Sequence, residues 1–174
     1  MLVVFTTQIT LQKRSYSMFD CYNSLELHIN DDAVRKQCKE AMDNNTFFKF
    51  LITLCDPTDT YKMTEPKDLD YTEDSDGYLH ITFEWGGVPN NIYESLMELD
   101  DSVFHSAVYH QYNEGVGEYI NDCGTLIEAH YDIDRPIPYY VAAELGLIDN
   151  PMFTVSADGE YVTQIKDDTN DNEN

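Results

Sequence analysis

Lysine and arginine are all but missing from the last three-fifths of this 174-residue chain. Residues 68–174 hold 24 acids against two bases, Arg135 and Lys166, for a net charge of −22. Residues 1–67 hold nine acids and eight bases, net −1, so nearly all of the formal charge of −23 lies in one part. From Asp68 to Asp134 inclusive there are sixteen carboxylates and no Lys or Arg. Such a surface repels phosphates and anionic headgroups, which argues against direct contact with nucleic acid or membrane. A charge this lopsided speaks to partners more than to fold.

Other absences narrow the reading further. No apolar run approaches the length that spans a bilayer. The start, Met1-Leu-Val-Val-Phe5, is apolar before its first bases, Lys13 and Arg14, which is the reverse of a secretory signal. The expected location is therefore the cytoplasm of the host cell. Cys21, Cys38, Cys55 and Cys123 contain no C-x-x-C spacing, so buried thiols are expected rather than a zinc knuckle or redox dithiol.

Signatures of catalysis are also lacking. There is no phosphate-binding glycine loop, no G-x-S-x-G and no H-E-x-x-H, and Gly115-Val-Gly117 lacks a third glycine. The best assembly of metal-binding residue types is His105, His110, Cys123, His130, Asp132 and Asp134. His105 and His110 are five apart and fall on different faces of a helix, so the i, i+4 clamp fails. Asp74-Ser-Asp76-Gly77 resembles half a calcium loop, but Thr72 and Phe83 would stand at its first and last ligand positions. No catalytic residue, metal or cofactor is expected.

What is present points to a folded chain. Hydrophobic residues make up 42% and aromatics 13%, too much for the disordered class despite the charge. Only residues 167–174 are polar enough to be expected disordered. Leu2–Leu11 reads as a strand, and Leu25, Leu27 and Ile29 alternate with Glu26 and His28 as a second. Asn30-Asp-Asp32 caps a helix carrying Val34, Cys38, Ala41 and Met42, which Asp43-Asn-Asn45 stops. Phe48, Phe50, Ile52 and Leu54 read as a third strand, with a helix as the alternative. Residues 56–77 form a long polar segment. Tyr78–Trp85 is a strand with Leu79, Ile81, Phe83 and Trp85 on one face and Tyr78, His80, Thr82 and Glu84 on the other.

Past Pro89 the pattern changes. Asn91 with Glu94 suggests a capping box, and Ile92, Leu96, Leu99 and Val103 follow at helical spacing, with Ala107 and Val108 continuing the stripe. Glu118, Ile120 and Asp122 suggest a further helical turn before Gly124, while Leu126–His130 is ambiguous. Tyr139–Leu145 reads as a short helix stopped by Gly146. Asp158-Gly159 predicts a type I′ hairpin between residues 153–157 and 160–165.

The expected fold is α+β: a small antiparallel sheet with a helix, an acidic and mainly helical region, and a C-terminal β-hairpin. The division is residues 1–88, near neutral, and residues 89–166, acidic, although one compact domain also fits.

The carboxylates carry the functional signal. Glu94, Glu98 and Asp101 stand at i, i+4 and i+7, on one helix face, and like charges at i, i+4 cost a helix roughly 0.2–0.5 kcal/mol per pair. A merely solvated face had no need of that cost. Duplex DNA carries one charge per about 1.7 Å, so 22 charges would match roughly 37 Å of duplex. The first candidates for partner contact are Glu94, Glu98, Asp100, Asp101, Glu114, Glu118 and Asp122. Asp70, Glu73, Asp74 and Asp76 come next.

In composition the chain resembles the phage- and plasmid-encoded DNA mimics that block host defence, the antirestriction and anti-CRISPR inhibitors. Tyr112-Asn113-Glu114-Gly115 is similar to a tetrapeptide near the N-terminus of the ArdA antirestriction family. The tetrapeptide here falls late in the chain, and no site residue is carried over. The resemblance implies a non-enzymatic inhibitor whose acids occupy the nucleic-acid groove of a basic protein, a restriction nuclease or CRISPR effector. A homodimer is compatible with it. An immunity protein or antitoxin capping a basic toxin is the alternative, and an unrecognised metal-dependent enzyme is a more remote one.

Overall fold

The computed structural model describes residues 21–56, 63–99, 103–111 and 114–165. The expected strand at Leu2–Leu11, Asp100, Asp101 and the tail 167–174 lie outside the described residues. The fold is α+β and antiparallel. Its strands in chain order are β1 (Cys21–His28), β2 (Lys67–Glu73), β3 (Tyr78–Trp85), β4 (Phe104–Gln111), β5 (Gly115–Asp122), β6 (Thr125–Asp132), β7 (Ile137–Pro138), β8 (Phe153–Val155) and β9 (Tyr161–Gln164). The helices are α1 (Asp32–Asp43), α2 (Phe47–Cys55), α3 (Asn90–Leu99) and α4 (Tyr139–Glu144). Six strands form the main sheet in the order β2-β3-β1-β4-β5-β6, and β7-β9-β8 form a small second sheet. β1 pairs with β3 on one side and β4 on the other, so the main sheet runs unbroken across residue 88.

Alternation along the strands divides the molecule into three layers. Leu25, Leu27, Leu79, Ile81, Phe83, Phe104, Ala107 and Tyr119 point to one face, where α1, α2 and α3 cover them with Cys38, Met42, Phe47, Phe48, Leu51, Ile92 and Leu96. Val108 and Val116 point to the other face, where Ile137, Val141, Ala142, Leu147 and Val162 form a second core. Each large side chain so buried contributes about 1.5–3 kcal/mol.

α1 begins as its sequence implies: the Asp31 carboxylate accepts from the N–H groups of Ala33 and Val34 at 2.8 and 3.1 Å. It ends at Asp43, with Asn44 as its C-cap and Asn45 in the left-handed region at φ 54°. Phe47–Cys55 is a helix and not a strand. Its run of apolar residues suits either period, and packing selects Phe47, Phe48 and Leu51, an i, i+1, i+4 face, for burial. Glu65 helps hold its first turn, accepting from the N–H groups of Phe48 and Lys49 at 2.8 and 3.1 Å. The polar segment 56–77 contains an unforeseen edge strand, β2.

The region 89–166 is mainly sheet, a correction to the helical reading. α3 ends at Leu99, and Ala107 and Val108 lie on β4 with their side chains on opposite faces. Glu118, Ile120 and Asp122 lie on β5. Gly115 opens the same strand and Gly117 lies inside it, so neither is a break within it. A Cβ on Gly117 would overlap the Tyr109 ring, so this glycine makes room for an aromatic on the neighbouring strand. The C-terminal hairpin is present as β8–β9, but only Gly159 in its loop has positive φ, so the turn is not type I′. That geometry occurs between β5 and β6, where Cys123 and Gly124 have φ 52° and 86°.

Candidate functional site

The expected contact carboxylates that lie on the main sheet fall into two groups, one at its β2 edge and one on β5, next to the opposite edge. Asp70, Glu73, Asp74 and Asp76 belong to the β2–β3 hairpin, whereas Glu114, Glu118 and Asp122 belong to β5 or its entry turn. Among the described residues β2 and β6 are the edge strands, and β2 and β5 stand four strand spacings or roughly 19 Å apart. They do not form one continuous stripe.

Local bonding further sorts the β2–β3 group. Glu73 is ion-paired to Lys39 at 2.6 Å and to Arg35 at 3.1 Å, bases supplied by α1. The Lys39 hydrogen bond, followed by the two cations' fields, holds its carboxyl below the usual range. Asp74 organises the turn, accepting from the N–H groups of Tyr78 and Asp76 at 3.0 and 2.9 Å. Those bonds, led by Tyr78, lower its pKa. Asp70 and Asp76 are exposed.

In the other group, Glu118 is only 4% exposed. Its Oε1 accepts from the hydroxyls of Tyr131 and Tyr140 at 2.9 and 2.5 Å. Glu118 thus fastens α4 to the sheet and presents no charge to a partner. Glu114 and Asp122 are exposed in the turns at the two ends of β5.

α3 bears Glu94 and Glu98, both exposed and one turn apart. Glu94 lies near enough to Tyr119 to join Glu128 in raising that hydroxyl's pKa, after burial, the largest cause, and the 2.9 Å hydrogen bond to Glu128. On β6, Glu128, His130 and Asp132 project from the side of the sheet that α3 covers, because their partners on β5 are Tyr119, Gly117 and Gly115. Among the described residues, no Lys or Arg forms a salt bridge with Glu94, Glu98, Glu128 or Asp132; the only ion-pair contact is His130 with Asp132 at 3.8 Å. The described ion pairs of Arg35, Lys36 and Lys39 all involve Asp32, Glu40 or Glu73, on or beside α1. Sequence reasoning passed over Glu128 because its segment had no assigned period.

The open part of the sheet's second face holds a cluster that was not anticipated. Glu26 stands between His80, with Nδ1 at 3.0 Å, and His105, with Nε2 at 3.5 Å. The other nitrogen of His80 lies 3.4 Å from Asp74. His28 stacks on Tyr78 at 4.5 Å, and Tyr78 meets His105 edge-on at 5.3 Å. His105 reaches Glu26 because it is the extra residue of a β-bulge where β4 shifts register against β1. The wet-face alternations Glu26/His28 and Tyr78/His80 were the available signal. Among the described residues no group of three or more His, Cys, Asp or Glu could hold a metal ion. His110 and His130 lie on opposite faces of the sheet, opposite Tyr22 and Gly117 respectively.

No helix among the described residues is long and apolar enough to cross a membrane. A recess of about 170 Å³ lies between α2 and α3 beside Cys55, Ile92 and Ser95. No protein-family profile, curated protein or solved structure matches this chain.

Proposed function

We propose that this chain is a non-enzymatic inhibitor that binds the nucleic-acid groove of a basic protein, such as a defence nuclease, by presenting carboxylates in place of phosphates. One observation carries the reading: Glu94 and Glu98 on α3, and Glu128 and Asp132 on β6, stand on the same side of the sheet and, among the described residues, form no salt bridge with Lys or Arg. Neutralising even a few acids within a fold is easy, as Glu73 illustrates with Lys39 and Arg35. Leaving α3 and β6 uncompensated retains self-repulsion that a partner's cations would relieve. The footprint is narrower than total charge implies, since Glu118 is buried and Glu73 is paired.

Affinity capture on the immobilised protein tests this. The expected captives are nucleic-acid-binding proteins that duplex DNA elutes, and whose retention falls roughly tenfold or more from 50 to 200 mM salt. Captives that ignore both DNA and salt would contradict it.

A further inference from the structure

We infer that the outer edge of β6 is the docking edge for an extended segment of the basic partner, one that alternates Lys or Arg with apolar residues. This rests on the proposed reading and specifies its contact.

Hairpin geometry determines which backbone groups are free. The two-residue turn makes Asp122 and Thr125 the closing hydrogen-bonded pair, so hydrogen-bonded and non-bonded pairs alternate from there. Thr125, Ile127, Ala129 and Tyr131 direct their N–H and C=O groups to β5. Leu126, Glu128, His130 and Asp132 direct theirs outward. The Asp132 carbonyl turns back to the Arg135 N–H at 3.0 Å, and among the described residues no strand pairs with the rest.

The two edges of the sheet are treated differently. β2 carries Lys67, a register shift between Lys67 and Asp70, and Asp68 at φ 48°, devices that blunt an edge against pairing. β6 has no Lys, no Pro and no register break over all eight residues.

Side chains then define the occupant. On one face of β6, Glu128 and Asp132 stand with Glu94 nearby. On the other, Ile127 is 44% exposed beside its cross-strand neighbour Ile120, 37% exposed. An added strand would therefore meet carboxylates at alternate positions and apolar surface at those between. A second copy fits poorly, because each chain carries a net charge of −23.

The probe is a synthetic ten-residue peptide alternating Lys and Val, added to the full chain and followed by residue-level amide exchange. Exchange at Leu126, Glu128, His130 and Asp132 is expected to slow at least tenfold. A Glu/Val peptide, or the Lys/Val peptide with alternate amides methylated, should have no such effect. Ile127→Asp, at an exposed position, should weaken the peptide at least tenfold. The inference is overturned if the peptide does not bind, or binds without slowing those amides. It is equally overturned if they are protected before any peptide is added, whether by a second copy, seen as doubled mass, or by the chain itself. Edge protection with no displacement of nucleic acid from any captive would sink the polyanion reading alone. Displacement that survives Ile127→Asp would sink the edge alone.

Discussion

The Tyr140 hydroxyl donates a 2.5 Å hydrogen bond to Glu118 Oε1, joining α4 to the middle of β5. Tyr131 donates to the same oxygen. A buried carboxylate left without such donors is costly, so both tyrosines matter to its retention. Glu118→Ala should lower stability by about 1–3 kcal/mol, and Glu118→Gln by less, since its amide oxygen still accepts. Glu118→Lys should abolish folding and thus say nothing about partner binding. Urea denaturation of the three variants checks this.

Charge reversal at exposed positions is the informative counterpart. Glu94→Lys with Glu98→Lys should reduce retention of basic partners at least tenfold at low salt. The melting temperature should stay near that of the native chain, because both side chains are exposed on α3. Unchanged retention would remove α3 from the contact surface.

Stability should fall at both pH extremes. Glu73, Asp74 and Asp158 have folded-state pKa values lowered chiefly by hydrogen bonds from Lys39, from the Tyr78 N–H and from Ser156. Their contribution is present above the unfolded carboxylate pKa, near 4, and is lost as pH falls through the folded values. Burial, the largest cause, raises Tyr93, Tyr109, Tyr131 and Tyr140. Their contribution is present below the unfolded tyrosine pKa, near 10, and is lost as pH rises through the folded values. Melting temperatures across pH 2–12 should show a plateau with two limbs, and Asp74→Asn should flatten the acid one.

Thiol reactivity should follow burial. Desolvation pushes Cys21 and Cys38 up to about 12 and Cys55 up to about 11. Cys123 is exposed in the β5–β6 turn. Iodoacetamide at pH 8 should label Cys123 in the native protein, and the two buried thiols only after denaturation. Mass spectrometry of the digested protein reads the order.

Gly117→Ala should destabilise by about 1–3 kcal/mol, because the added methyl meets the Tyr109 ring. Tyr109→Leu in the same chain should recover part of that loss, which a double-mutant cycle would measure.

Elements with one wet face were legible. β3 alternates cleanly, and α1 announces its start with Asp31 and its stop with Asn44 and Asn45. β5 was not legible, because Gly115 to Tyr119 is buried on both faces, which erases the alternation. The stripe from Ile92 through Val103 to Ala107 overran Leu99 only because β4 supplied apolar residues at coincident spacing. Glu94 and Glu98 kept their expected place on a helix face, whereas nothing local marks Glu118, whose partners are 13 and 22 residues away. Nor could spacing tell that Glu73 would meet α1, since Lys39 precedes it by 34 residues.

The central position of β1 has a consequence in time. Leu25 pairs with Ile81 on one side and Ala107 on the other. At the usual pace of synthesis, about 5–20 residues per second, the second of those partners arrives roughly 4–16 s after Leu25. Over that interval the strand that will lie in the middle of the sheet has one edge or both unmet. The chain is thus most vulnerable to mispairing while it is being made, and its folding rate should be governed by the closure of these long loops.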